Sequence, residues 1–182
     1  MIMKKNIIRI EFNSGFTLLE TLVAITIFTG AVLALLTILG NGISSTSFAK
    51  RKIIASYLAG EGMELVRNLR DNSVLYNSTD SDTGWTEFLN SLSTACGTAG
   101  CYVDDSQNLV ACSGGVCPNL LYNSSTGSYN YTSGADSGYN RKITIEMVSS
   151  SERKIHGLVA WTQGSRNYQV DFTDNLLNWI EQ

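Results

Sequence analysis

Proline occurs once, at Pro118, so nothing before it locks the backbone against a helix or removes a donor from one. Histidine also occurs once, at His156. That excludes a histidine-based metal cluster, and a Ser-His-Asp arrangement would need Asp171 or another acid brought beside this single residue. There is no phosphate-cradling glycine loop and no internal repeat. Basic charge is in short supply as well: 13 Lys and Arg face 16 Asp and Glu, for a formal net charge of −3. Lys4, Lys5 and Arg9 against Glu11 give the first fifteen residues +2, which leaves −5 on the rest. Charge alone therefore offers no footprint for nucleic acid.

What is present is unevenly placed. The 182 residues suit one domain, or one domain with an appended segment. Phe16 to Ile43 is almost uninterrupted hydrocarbon, whereas Asp71 to Asn140 is dominated by Ser, Thr, Asn, Gly and Asp. The apolar run exceeds the ~20 residues that a helix needs to cross the hydrocarbon core and the ~7–15 of a secretory signal. Lys4, Lys5 and Arg9 precede it and place the amino terminus on the cytoplasmic side, with the remainder outside.

A small-residue cleavage site beyond the run is poorly represented by Gly40-Asn41-Gly42, and the better position lies before it, at Ser14-Gly15-Phe16. A cut after Gly15 removes a leader of residues 1–15 and leaves a chain that begins with Phe16 and keeps its apolar segment. Glu20 then becomes informative, because a carboxylate in an apolar helix costs ~2.5–3.5 kcal/mol on insertion scales. The amino group freed on Phe16 is a cation that could neutralise Glu20 of a neighbouring chain. The competing reading puts Glu20 at the cytoplasmic interface, where water and the helix dipole favour a negative charge.

The string Gly15-Phe16-Thr17-Leu18-Leu19-Glu20-Thr21-Leu22-Val23-Ala24 resembles the processing and methylation signature of type IV prepilins and type II secretion pseudopilins. The resemblance implies cleavage between Gly15 and Phe16 by a membrane aspartyl prepilin peptidase, N-methylation of Phe16, and use of Glu20 in subunit docking. The implied partners are other pilin or pseudopilin subunits and an inner-membrane assembly platform. It implies a single-pass inner-membrane protein that later joins a surface or periplasmic filament, with no cofactor and no enzymatic activity. The apolar helix departs from many major pilins in lacking a kinking proline.

Beyond Ile43, Ile54, Tyr57, Leu58, Leu65 and Leu69 recur at three- and four-residue spacings, with Ile53 and Val66 widening the stripe. This reads as an amphipathic continuation over residues 44–70, making one helix of about fifty residues and 75–80 Å. Gly30, Gly40 and Gly42 either weaken the first part locally or permit close helix packing. Lys50-Arg51-Lys52 is either a solvated run or a contact for lipid headgroups or acidic surfaces. Glu64 and Arg67 are spaced for a minor helical ion pair.

The head, residues 71–182, should hold a short helix over Trp85 to Leu92 capped by Thr83, then loops and short strands. Cys96, Cys101, Cys112 and Cys117 form an even cluster that suits disulfides better than zinc, with three connectivities open. Strands are expected at residues 142–148, 154–161 and 167–172, as an antiparallel meander. Its buried face should carry Ile143, Ile145, Met147, Leu158, Ala160, Tyr168 and Val170 against Ile54, Leu58 and Leu65, with Leu176, Leu177, Trp179 and Ile180 closing the lower edge.

The expected class is thus α+β: one long amino-terminal helix, its outer half packed on a carboxy-terminal antiparallel sheet, with a loop-rich, disulfide-bearing head. That arrangement looks like the pilin fold, and the head's size and ending are similar to minor pilins. Asp80, Asp82 and Gly84 only partly match a calcium loop. Asn77, Asn123 and Asn130 head N-glycosylation patterns of the kind that arise by chance in such composition. Arg141, Lys142, Arg153, Lys154 and Arg166 could meet in a basic patch on the sheet. A second functional class stays open: a membrane-anchored extracytoplasmic binding module that never polymerises.

Overall fold

The computed structural model describes residues 15–76 and 81–178. The leader residues Lys4, Lys5, Arg9 and Ser14, and also Asn77, Asp80, Trp179 and Ile180, lie outside the described residues. The chain divides into two compact units, Met1–Thr46 and Ser47–Gln182.

Helix α1, Leu18–Tyr76, contributes to both units. It runs unbroken through Gly30, Gly40 and Gly42 and continues past the expected end at Arg70, since Asp71 to Tyr76 contains neither glycine nor proline. In the first unit every described residue is exposed, and the helix is apolar all round rather than on one face. It is long and apolar enough to cross a membrane.

The second unit is α+β. After α1 come α2 (Ser81–Cys96), β1 (Cys101–Val103), β2 (Leu109–Ala111), β3 (Asn119–Asn123), β4 (Ser128–Asn130), β5 (Ala135–Met147), β6 (Glu152–Gln163) and β7 (Arg166–Leu177). All pairings are antiparallel. β5 is central: β6 and then β7 extend from one edge, while β3–β4 and β1–β2 share the other. β6 and β7 are joined by the two-residue turn Gly164-Ser165, and Gly164, at φ 61°, supplies the left-handed conformation that a tight hairpin asks of its first position.

The meander appears where expected, with longer strands. α2 is twice the expected length, and it starts at Ser81, so Thr83 stands in its first turn rather than at its cap. The four short strands were not delimited by the sequence, since three to five residues carry no readable period.

The buried face of the sheet is partly as expected. Ile143 and Val170 are buried, and Ile145 and Tyr168 pack at the core margins. In β6, however, Ile155, Gly157, Val159 and Trp161 face inward, and Leu158 and Ala160 take the other phase. Both phases of this strand are apolar from Gly157 to Trp161, and the inward one contains a glycine that packs against the helix. A Cβ on Gly157 would lie 2.8 Å from Met63 Sδ and 3.4 Å from the Ala59 carbonyl.

The stripe on α1 shifts for the same reason. Ala55, Leu58, Ala59, Gly62, Met63 and Val66 are buried, and this small-residue surface lets the sheet approach. Tyr57 and Ile53, which satisfied the spacing, are exposed on the flank. Met147 and Leu177 are also exposed, because they stand at strand ends that the helix does not cover, whereas Leu176 is fully buried. Two adjoining cores result: one joins α1, α2, β1 and β5 around Phe88 and Ile143, the other joins α1 and the meander around Val159 and Trp161.

Candidate assembly helix and head surface

At the start of α1, Thr17 Oγ1 accepts a hydrogen bond from the Glu20 backbone N–H at 3.3 Å. Thr17 is therefore the cap and Glu20 the third helical residue, the Thr-x-x-Glu pattern of a capping box. This role was readable in the sequence from the three-residue spacing alone, and it places the carboxylate among the unpaired N–H groups of the first turn. Gly15, Phe16 and Glu20 are all exposed.

The remaining polar groups of the apolar stretch are largely self-satisfied. Thr21, Thr26, Thr29, Thr37 and Thr46 each return the hydroxyl to a backbone carbonyl three or four residues earlier, at 2.8–2.9 Å. Glu20 is the one ionisable group between Phe16 and Ile43, and it forms no ion pair among the described residues.

In the head, the four cysteines form two local bridges, Cys96–Cys101 and Cys112–Cys117, one of the three connectivities left open. The first ties the end of α2 to β1. The second closes the link between β2 and β3. They lie side by side, since Cys101 pairs with Ala111 across the β1–β2 ladder and the Cys112 N–H donates to the Gly100 carbonyl at 2.9 Å. All four are buried, and the Cys96–Cys101 bridge forms part of the core beneath α2.

Arg141 does not contribute to a basic surface. It is 3% exposed, lying across α1 where Gly62 has no side chain: a Cβ there would be 2.9 Å from Arg141 Cδ. Its Nη1 donates to Glu61 Oε2 at 3.0 Å and to the Leu58 carbonyl at 3.3 Å, and its guanidinium stands 5.7 Å from the centre of the Tyr131 ring. Arg141 Nε and the Tyr131 hydroxyl are buried without a hydrogen-bond partner among the described residues. Burial pushes the Tyr131 phenol above its ordinary range. A polar cavity of about 410 Å³ adjoins them, lined in part by Glu61, Asp104, Asp105, Asn130 and Arg141.

The rest of the expected patch is dispersed as well. Lys142 donates to the Gly115 carbonyl, Arg153 to the Ser149 and Glu152 carbonyls, and Lys154 faces Glu146. Neighbours along a strand point to opposite faces, so Arg141 and Lys142 could not share one.

His156 does meet Asp171, whose Oδ2 is 3.7 Å from Nδ1, but the Thr173 hydroxyl approaches the same nitrogen at 3.2 Å. A nucleophile–base–acid chain needs hydrogen-bonded partners on opposite ring nitrogens, and the group at Nε2, Glu146 Oε2, stands 3.9 Å away, beyond hydrogen-bond reach. Among the described residues no group of three or more His, Cys, Asp or Glu could hold a metal ion. Asn123 and Asn130 use their side-chain oxygens to accept backbone N–H groups two and three residues ahead, as turn formers. No family model, curated protein or solved structure matches the chain.

Proposed function

We propose that this protein is a structural subunit of a type IV pilus-like or type II secretion-like filament. In this reading a prepilin peptidase cuts after Gly15, and the segment 16–43 passes from membrane solvent to filament core. The observation that carries it is Glu20, a carboxylate in the otherwise apolar run of residues 16–43, five residues after Gly15. The freed amino group of Phe16 on another copy would neutralise it, so processing would be coupled to assembly. The exposed apolar surface from Leu18 to Ile43 supports the same reading, since such a helix needs lipid or other helices around it. Buried disulfides fit a head that matures in an oxidising compartment outside the cytoplasm.

The test has two parts. Mass analysis of the membrane-bound protein should find a chain that begins at Phe16 and carries one added methyl group; retention of Met1 to Gly15 beside an active peptidase refutes processing. Glu20→Ala should still insert into the membrane but disappear from sheared filaments. Unchanged incorporation of that variant would leave the second reading, a monomeric anchored binding module whose cysteine-stapled head acts alone.

A further inference from the structure

Four of the ten cations in the second unit face carboxylates, and Lys142 and Arg153 donate to backbone carbonyls. Arg67 is held by Glu64 and Asp174, Arg70 by Asp71, Arg141 by Glu61 and Lys154 by Glu146. Lys50, Arg51 and Lys52 differ: they are consecutive on α1, and none has an acidic partner among the described residues. This occurs in a chain that is net −5 from Phe16 onward, so acids outnumber bases.

Their surroundings suit an anion. Lys50 and Arg51 line a cavity of about 260 Å³ with Ser47, Ile54, Ser137 and Tyr139, and no carboxylate borders it. The Tyr139 hydroxyl donates to the Arg51 carbonyl at 3.2 Å, which fixes this turn of α1 against β5. Arg51 is half-buried there, near Tyr129 and Tyr139, whose phenols burial pushes above the ordinary value while the Arg51 charge opposes that shift in part. Beside it runs an aromatic series, Phe48, Trp161, Tyr168 and Tyr139, with ring centres 4.9–6.3 Å apart.

Trp161 and Tyr139 of this series are buried in the core, so the rings brace this turn of α1 while Lys50 and Lys52 stand exposed beside them. Cations that close a membrane-spanning apolar run stand at the membrane–water interface. In the sequence these cations are also the first ionisable groups after Glu20, because residues 21–49 contain no Asp, Glu, Lys, Arg or His. We propose that Ser47, Lys50 and Arg51 form a phosphate site that takes the headgroups of anionic phospholipids, with Lys52, which lines a neighbouring hollow rather than this cavity, adding charge at the same level of α1. The two lysines act as point charges, the Arg51 fork grips two phosphate oxygens, and the Ser47 hydroxyl donates to a third. The inference rests on the membrane span of the proposed function but on neither its processing nor its assembly.

Native mass spectrometry of the full chain in neutral detergent tests it, with phosphatidylglycerol, phosphatidylcholine, inorganic phosphate and a short oligonucleotide as probes. Phosphatidylglycerol should be retained over phosphatidylcholine. At ~5-fold per cation near an anionic surface, K50Q/K52Q should lower its retention ~25-fold and K50Q/R51Q/K52Q ~100-fold, while K4Q/K5Q leaves it unchanged. The first variant alters only exposed side chains, so it carries the test even if the triple change unfolds the head. Equal retention of the two lipids, or phosphatidylglycerol retention unaffected by K50Q/K52Q, overturns the site. Inorganic phosphate bound as well as the lipid assigns it to free phosphate, and preference for the oligonucleotide assigns it to nucleic acid; either overturns the lipid assignment. Carbonate washing of membranes separates the two levels: release of the chain refutes the span itself, whereas a retained chain without headgroup preference refutes only the phosphate site.

Discussion

Glu61 is the carboxylate that meets the buried guanidinium of Arg141, and replacing it with leucine leaves that charge with the Leu58 carbonyl alone among hydrogen-bond acceptors. Breaking a fully buried pair from one side costs about 3–5 kcal/mol. The Arg141 side chain is 4% exposed but that of Glu61 is 52% exposed, so water already screens the pair and the cost should fall to about 2 kcal/mol. Arg141→Met removes the buried charge and frees Glu61 into solvent, which should cost about 1 kcal/mol, mainly for lost contacts to the Tyr131 ring. The double variant Glu61→Leu, Arg141→Met no longer buries any charge, and it should be as stable as Arg141→Met alone and more stable than Glu61→Leu alone.

Urea unfolding of the detergent-solubilised chain, followed by the fluorescence of buried Trp85 and Trp161, reads these differences. In a thermal scan the Glu61→Leu deficit corresponds to a Tm lower by roughly 6 °C. If the losses of the two single variants simply add in the double, the guanidinium is not held by Glu61 and the reasoning fails.

Three further outcomes follow from the same geometry. Replacing either cysteine pair with alanine should cost about 2 kcal/mol, the loop-closure value for so short a ring, and a peptide map of the oxidised protein should show only Cys96–Cys101 and Cys112–Cys117; a crossed bridge would refute the connectivity. Gly157→Ala should destabilise the head by about 1–3 kcal/mol, because its Cβ enters the space of Met63, and combined with Met63→Ala it should cost less than the two changes summed. Burial raises the phenol pKa of Tyr129, Tyr131 and Tyr139 above the ordinary 10.0, so the stability they contribute is present in full below that pH and is lost as pH rises through the folded values. Ultraviolet titration should therefore show a late-ionising group of tyrosines that unfolding abolishes.

The long helix and the meander were legible because each rests on a long, regular pattern: an apolar run with no proline, an amphipathic stripe, and three stretches of β-branched and aromatic residues divided by Ser and Gly. Face assignment was less legible. Gly157 to Trp161 is apolar in both phases, and Gly157 fills an inward position without advertising it. The sheet lies on Ala55, Ala59 and Gly62, so the larger Ile53 and Tyr57 are displaced to the flank although they sit at helical spacing. The short strands β1 to β4 owe their existence to partners distant in sequence, such as Tyr139 opposite Leu120, and to the bridges at their ends. Arg141 read as a surface cation because its burial depends on Gly62 of a helix almost eighty residues earlier.

The candidate site was legible in its residues but not in its local mechanics. Thr17 and Glu20 together make the helix start, and this changes what Glu20 means in the proposed assembly. A carboxylate in the apolar helix costs ~2.5–3.5 kcal/mol, whereas a negative charge in the first turn gains ~0.3–1 kcal/mol from the dipole. The cap thus makes the single chain tolerate its acid without removing the penalty. A remainder of about 2 kcal/mol stays available to a cation that arrives from another copy. Capping and docking are therefore not rival explanations of Glu20: the cap uses its backbone N–H, and the carboxylate is left exposed at the start of the helix, where an incoming amino group would pair with it.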